Sequence, residues 1–537
     1  MLGILNDNDK RQKIGEGIYL LYFAVMMGAR AAGLYEGMTI YNITLVIGLL
    51  LFGCKMLVTK HGIKEYAVAA TFLLVAGIVY IHTGEKGLLV CFTMMLGMKG
   101  VSTVKVIKTG FLVAGVIILF KIFTGVFGIL PEIYYTQDRE GVGLTFRHAL
   151  GYAHPNTLHM NVLMLTMLGM YLVTKSLAKE RSADMAEHDR EAIGKLTLFS
   201  VCAFLFNLYV FQYSYSRTGL LACIVFLVVN FWFFIVEKPR MLEKVICYIS
   251  FPVVCFIAIV GPFILPDSVF SKIDQTIFTT RFSIARYFWE YNSISLFGIR
   301  LNNPINMYTT YGLDMAQLYL FLQLGIVAFV VISALTMWFI YYSLKMNHMQ
   351  ELAVLMGMLC LGIWEPLLYN LGFKNFVYVF MGAAIYSVIA ADEASAAEDK
   401  GLPLKNLGTV WLSNCSLASL LKALAGGLLA GGCAMLLFIV VTNSPSNYYG
   451  SRELSESGKS LGMEAVYFSA DQITQMEASG DIIVGYVDEV TPMYEFGSEI
   501  ATSEYRKRAI SVALFTTIIV CIIYLAFENR KMCYNRK

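Results

Sequence analysis

Charge is scarce in this chain. Only 15% of its 537 residues are Asp, Glu, Lys or Arg, where soluble globular chains average about 25%. With 57% hydrophobic residues and a mean hydropathy of +0.63, there is too little polar surface for life in water. A small-residue cleavage site is missing after the first apolar run, 18–34, so that run is expected to stay as a span and not to be removed as a signal peptide. The 11 cysteines fall almost entirely in expected spans or cytoplasmic segments, and the three longest expected outer loops hold none. That excludes a disulfide framework, and no zinc spacing is present. No Walker A glycine loop, no DxD pair on an outer loop and no metal-ligand spacing is found, which disfavours metal-assisted nucleotide-sugar chemistry. Internal repeats are also missing, so the inverted-repeat plan of many transporters has no support. No cofactor, metal or nucleic-acid partner is expected.

What the chain does have is apolar runs near the ~20 residues needed to cross a bilayer. They predict spans at 17–34, 40–58, 66–81, 88–104, 110–130, 157–174, 196–213, 218–236, 245–265, 314–342, 352–370, 373–391, 423–441 and 509–527, about fourteen helices in all. The fourth is the weakest, because Lys99 interrupts it and Gly97 and Gly100 are poor helix formers. Lys and Arg crowd alternate connections (10–13, 60–64, 99–108, 175–195, 237–244, 345–351, 392–422 and 530–537). By the positive-inside rule these are cytoplasmic, which puts both termini inside.

The remaining connections, 131–156, 214–217, 266–313 and 442–508, then face outward, and the first three carry the polar residues of interest. An Arg beside apolar spans is costly, and so marks a candidate site. Arg217 sits in Gln212-Tyr-Ser-Tyr-Ser-Arg-Thr-Gly219, where one span ends and the next begins; the plainer alternative is an interfacial Arg reaching lipid phosphates. Arg147, His148 and His154 gather before a span, with Asn156 read as a helix N-cap after Pro155. Arg281 and Arg286 flank an amphipathic segment on which Phe282, Ala285, Phe288 and Trp289 share a face; its plainer reading is a surface helix in the headgroups. Asp314 opens a span, where a carboxylate also suits a helix start. Several arginines converging on one outer pocket suit a phosphate or pyrophosphate, because guanidinium is permanently charged and donates in a planar fork.

These residues resemble the O-antigen ligase and polymerase superfamily of bacterial membrane glycosyltransferases, of the GT-C class. Gly151-Tyr-Ala-His-Pro-Asn156 is similar to the family's Pro-Asn element before a span, and Ser214-Tyr-Ser-Arg-Thr-Gly219 to its Ser-Arg signature. Thr280-Arg281 through Leu296-Phe-Gly298 matches the arginine-to-glycine spacing of its long outer loop, and 314–325 falls where ligases carry a His ten residues before a Gly. Here Asp314 replaces that His, and the Trp expected shortly after the loop arginine is displaced to Trp289. The resemblance covers about residues 15–391. It implies an outer-face, inverting, metal-independent transferase that uses an undecaprenyl-pyrophosphate-linked oligosaccharide. Arg217 and Arg281, with Arg286 and Arg147, would bind the departing pyrophosphate; Asp314 or His154 would accept the acceptor's proton.

The expected organisation is an all-α polytopic membrane protein of the bacterial plasma membrane. It comprises a glycan polymerase or ligase domain (1–391), a cytoplasmic linker (392–422) with an amphipathic piece at 410–421, and a two-helix module (423–537). A small outer-face domain lies between the last two helices. Its loop, 442–508, is strongly acidic, with carboxylates from Glu453 to Glu504 facing only Arg452 and Lys459 before Arg506-Lys507-Arg508. Such a loop repels a pyrophosphate, so it is expected to be accessory: to influence product length or docking, with a flippase or a chain-length regulator among its partners. The function expected first is polymerisation of lipid-linked repeat units into a capsule or exopolysaccharide. A ligase moving a finished glycan to a wall or lipid acceptor, and a transporter or flippase, are the alternatives.

Overall fold

The structure, a computed structural model, describes residues 8–35, 38–129, 134–139, 143–181, 186–236, 238–302, 312–393, 416–442, 448–451, 464–467, 477–478, 482–486, 492–496 and 498–535. The chain is predominantly helical. Among the described residues ten helices are long and apolar enough to cross a membrane: Thr39–Val58, Ile63–Thr83, Thr103–Val126, Pro155–Ala178, Asp189–Ser214, Arg217–Val236, Met241–Ile264, Ile326–Lys345, Leu417–Val441 and Tyr505–Glu528. Shorter apolar helices run over Gly87–Leu96, Met349–Leu361 and Val377–Ile389, and the chain opens on Asn8–Ala31. Large apolar side chains such as Ile40, Leu50, Val116 and Val440 stand exposed on the long helices. Water would penalise that surface and lipid does not, while each helix satisfies its own backbone polar groups.

Several expected spans are interrupted. The fourth stops at Leu96 because Tyr19 fills the space beside Gly97, where a Cβ would come 2.4 Å from the tyrosine ring. Gly100 then turns the chain at φ 65°. At 1.5 Å per residue, ten residues reach only about half of a bilayer core. The expected span 314–342 is broken at Gly325, φ 92°, between a π-helical turn, Tyr319–Gln323, and the helix Ile326–Lys345. Another π turn, Phe256–Val260, interrupts Met241–Ile264 just ahead of Gly261-Pro262.

Contacts divide the chain into two compact units: Met1–Gly115, Met164–Leu172 and Leu221–Gly401 form the first, and Val116–Leu163, Val173–Leu220 and Leu402–Lys537 the second. The structure therefore groups the C-terminal residues with the 131–156 and 214–217 connections, where the sequence alone divides the chain at 391. Within the second unit a six-stranded sheet has the order β2-β1-β4-β3-β6-β5. β1 (Tyr134–Arg139) and β2 (Gly143–His148) come from the first outer connection; β3 (Tyr448–Ser451), β4 (Glu464–Tyr467), β5 (Ile482–Tyr486) and β6 (Pro492–Phe496) come from the acidic loop. The two are joined by a parallel pairing that sets Tyr134 opposite Val466 and Tyr135 opposite Tyr467. The small domain is thus shared between two connections.

The last two long helices of that unit pack through small residues. A Cβ on Gly431 would lie 2.3 Å from Thr517 Oγ1, and one on Gly427 2.6 Å from Cys521 Sγ. The Thr517 hydroxyl donates to Gly427 O at 3.1 Å. In lipid, where the hydrophobic effect gives helices no reason to associate, this close backbone approach is what holds a pair together. The expected linker falls outside the described residues over 394–415, and the end of its amphipathic piece, from Leu417, already belongs to the helix Leu417–Val441.

Candidate functional site

In the first unit the site begins with backbone strain. Thr279 and Thr280 have φ 49° and 69°, values that β-branched residues rarely adopt. Asp274 holds the turn that follows: its carboxylate accepts from Phe282 N at 2.9 Å, Ser283 N at 3.2 Å and the Ser283 hydroxyl, capping the helix Arg281–Tyr291, and Thr280 N donates to Asp274 O. A cap of this kind contributes about 1 kcal/mol, and strain so held is a recurrent mark of functional sites.

The turn buries Arg281, 9% exposed, among polar groups. Its Nε donates to Trp364 O at 2.6 Å, Nη1 to Thr279 Oγ1 at 2.7 Å, and Nη2 to Glu365 Oε1 at 3.3 Å. Asp314 Oδ2 lies 3.7 Å from Nε. The guanidinium therefore ties the strained Thr279 turn to the Trp364-Glu365 turn, while its charge faces two carboxylates. Asp314 does not cap a helix: the short helix that follows starts at Ala316, whose N–H donates to Gly362 O. Burial pushes the Asp314 carboxyl up from its ordinary pKa and Arg281 opposes that shift. Such a carboxyl is suited to take and release a proton.

Lys374 approaches the same carboxylate, Glu365, from the loop before Val377. Its side chain is 4% exposed and makes no hydrogen bond or ion pair among the described residues. Glu85 accepts from Tyr319 Oη at 2.8 Å and Gln323 Nε2 at 2.7 Å, bracing the π turn. Arg286 is spent elsewhere: it donates to Pro262 O and Leu265 O and lies 3.5 Å from the Phe270 ring centroid. The helix carrying both arginines buries Phe282, Ile284, Ala285, Tyr287 and Phe288, so it is packed into the protein and is no surface helix.

In the second unit the two motif segments meet. Arg147, in β2, donates from Nη2 to Asn156 Oδ1 at 2.6 Å and from Nε to Ser214 O at 2.9 Å. The Ser214 hydroxyl lies 3.1 Å from His159 Nδ1. Gly219 is required beneath that ring, because a Cβ there would fall 2.6 Å from His159 Cγ. Asn156 thus faces Arg147, and the helix Pro155–Arg181 is capped by His154, whose Nδ1 accepts from Asn156 N at 3.1 Å. A backbone N–H can only donate, so the neutral His154 ring carries its proton on Nε2 and its basic nitrogen is engaged. Arg217 opens the next helix, exposed and without a hydrogen bond or ion pair among the described residues. A cation there opposes the helix dipole, which leaves it available to an incoming anion.

The six expected residues therefore divide between the units: Arg281, Arg286 and Asp314 in the first, Arg147, His154 and Arg217 in the second. Sequence reasoning missed Glu365 and Lys374, although both are ionisable residues inside runs read as spans, and that is itself a signal. It also passed over Lys507, taken only as part of a basic flank. Among the described residues no three His, Cys, Asp or Glu side chains cluster as metal ligands would. Comparison with family models, curated proteins and solved structures finds no match for this chain.

Proposed function

We propose that this chain is a membrane glycosyltransferase that polymerises polyprenyl-pyrophosphate-linked oligosaccharide repeat units into a cell-surface polysaccharide, at the outer face of a bacterial plasma membrane that it crosses about fourteen times with both termini inside. The observation that carries this reading is the juxtaposition of Arg281 with Asp314, a fixed cation beside a carboxyl whose pKa is raised, beneath a strained turn. The reaction this pair suits is an inverting displacement. An acceptor hydroxyl oxygen attacks the anomeric carbon of the donor sugar, the bond from that carbon to the pyrophosphate oxygen breaks, and the pyrophosphate leaves with the electron pair. Asp314 takes the hydroxyl proton; with its Nδ1 engaged, His154 is the weaker base. Arg281 supplies positive potential where charge moves; in the other unit Arg217 is a separate candidate contact for an anionic group of the substrate. Deletion of the protein followed by analysis of the surface glycan tests the reading. Loss of polymer with single repeat units left on lipid is expected; full-length polymer retained on lipid identifies a ligase instead.

A second reading, a transporter or flippase, draws on the broken helices at Gly325 and Pro366–Leu368 and on the buried Lys374, features typical of carriers. Unflipped repeat units accumulating at the inner face after deletion would favour it.

A further inference from the structure

In the second unit, the turn that carries Arg217 is held at Ser214. Tyr215 has φ 47°, a left-handed value that an aromatic residue rarely adopts, so the turn needs support. The turn itself supplies two bonds: Tyr215 N donates to Phe211 O at 2.8 Å, and Ser216 N donates to the Ser214 hydroxyl oxygen at 3.3 Å. Arg147 adds a third, to Ser214 O at 2.9 Å. A fourth comes from His159, whose Nδ1 lies 3.1 Å from the same Ser214 hydroxyl. His159 and Ser214 are 0% exposed and Ser216 1%, so bulk water does not stand in for this bond. Directly after the turn, Leu220 N donates to Ser216 O at 3.2 Å, within the helix that Arg217 opens.

The Ser214 hydroxyl stands at the centre of this arrangement. It accepts from Ser216 N on one side and meets the imidazole on the other, so it couples the helix Pro155–Arg181 to the residue immediately before Arg217. Gly219 closes the approach from the far side: a Cβ there would come 2.6 Å from His159 Cγ. Phe211 meets the same ring edge-on, with centroids 6.5 Å apart. The imidazole therefore touches the chain both before and after Arg217, whereas the Arg217 side chain makes no hydrogen bond or ion pair among the described residues. A guanidinium donates its two-pronged fork to a given anion only from one orientation, and small misplacements of such a contact are costly. With no side-chain bond in place, the backbone beneath is what fixes where Arg217 starts. We propose that His159 is the positioning residue for Arg217, acting through the Ser214 hydroxyl to hold the turn from which the guanidinium extends. The proposal rests on the transferase reading above, in which Arg217 contacts an anionic group of the substrate, and it adds a fully buried residue that acts without touching that substrate.

Two substitutions in the full-length protein separate positioning from plain packing. His159→Phe keeps a ring against Gly219 and loses the bond to Ser214; His159→Asn gives up the ring and keeps a polar atom near the place of Nδ1. Polymer is measured in cells. The turn is read separately, in nanodiscs, by electron paramagnetic resonance of a nitroxide attached at Arg217→Cys in a cysteine-depleted background. His159→Phe is expected to lower polymer by about tenfold, the scale of one buried hydrogen bond, and to add a mobile component to the nitroxide spectrum. His159→Asn is expected to restore both. Should His159→Phe fail to insert, Ser214→Ala removes the same bond and is expected to give the same two results. Normal polymer and an ordered nitroxide in His159→Phe, with both lost in His159→Asn, would make the ring a packing element and overturn the proposal. An unchanged nitroxide spectrum in His159→Phe would overturn it too, whatever the polymer. A mobile nitroxide with wild-type polymer in both His159→Phe and Arg217→Lys would leave His159 holding the turn and remove Arg217 from the transferase reading.

Discussion

Gly325 backs directly onto Gly298: a Cβ on Gly325 would fall 2.2 Å from the Gly298 amide nitrogen. Both residues have positive φ, 92° and 87°, and the contact is closed by Ile299 N donating to Gln323 O at 3.0 Å and Ile326 N to Ser295 O at 3.0 Å. The two motif glycines thus lock the end of the long connection onto the break before Ile326–Lys345. Gly325→Ala combines a backbone conformation hostile to L side chains with a clash against main chain that cannot move aside. It should destabilise the protein by at least about 1–3 kcal/mol, read as a lowered melting temperature in detergent. An unchanged melt would mean that the two segments separate freely.

Arg217 and Arg281 should separate in their effects when each is changed to Lys. Arg217→Lys keeps charge but loses the fork, and because Arg217 makes no hydrogen bond or ion pair among the described residues, polymer should disappear at unchanged thermal stability. Arg281→Lys also forfeits bonds to Trp364, Thr279 and Glu365, so activity and melting temperature should both fall. Wild-type polymer from Arg217→Lys would return that residue to a lipid-phosphate contact.

Truncation after Ala391 tests the shared sheet. A self-contained domain ending there would still join repeat units, with altered chain length. Pairing of β1 with β4, and Lys507 against Tyr213 and Tyr215, predict instead that a chain inserted at normal abundance makes no polymer, because the segment carrying Arg147 loses its support. Altered chain length with polymerisation intact would establish the accessory role.

Cysteines at Ser271 and Ser457, in a cysteine-depleted background, should react with an impermeant thiol reagent on intact cells, and one at Ser182 should not, as the alternating basic connections require. Labelling at Ser182 would invert the orientation and, with it, the face on which the chemistry is proposed.

Hydropathy and charge are local properties, which a bilayer sorts run by run, so the helical plan and most helix positions can be read directly from the order of residues. The breaks were legible only in part. Gly97 and Gly100 announced one, whereas Gly325 needed its contact with Gly298 to be recognised as a break in the helix. The candidate residues were legible as types: Arg281, Asp314, Arg147 and Arg217 all stand out as polar groups in connections beside apolar runs. What each of them does was decided by distant partners. Trp364, Glu365 and Thr279 engage the Arg281 donors, Asn156 and Ser214 accept from Arg147, and Arg217 makes no hydrogen bond or ion pair among the described residues. Similarly, repulsion within the acidic loop is visible in its composition, but its pairing with β1 depends on strand edges brought together from far apart in the chain. Backbone pairing and donor allocation depend on which groups end up within 3 Å of one another, and no local pattern encodes that.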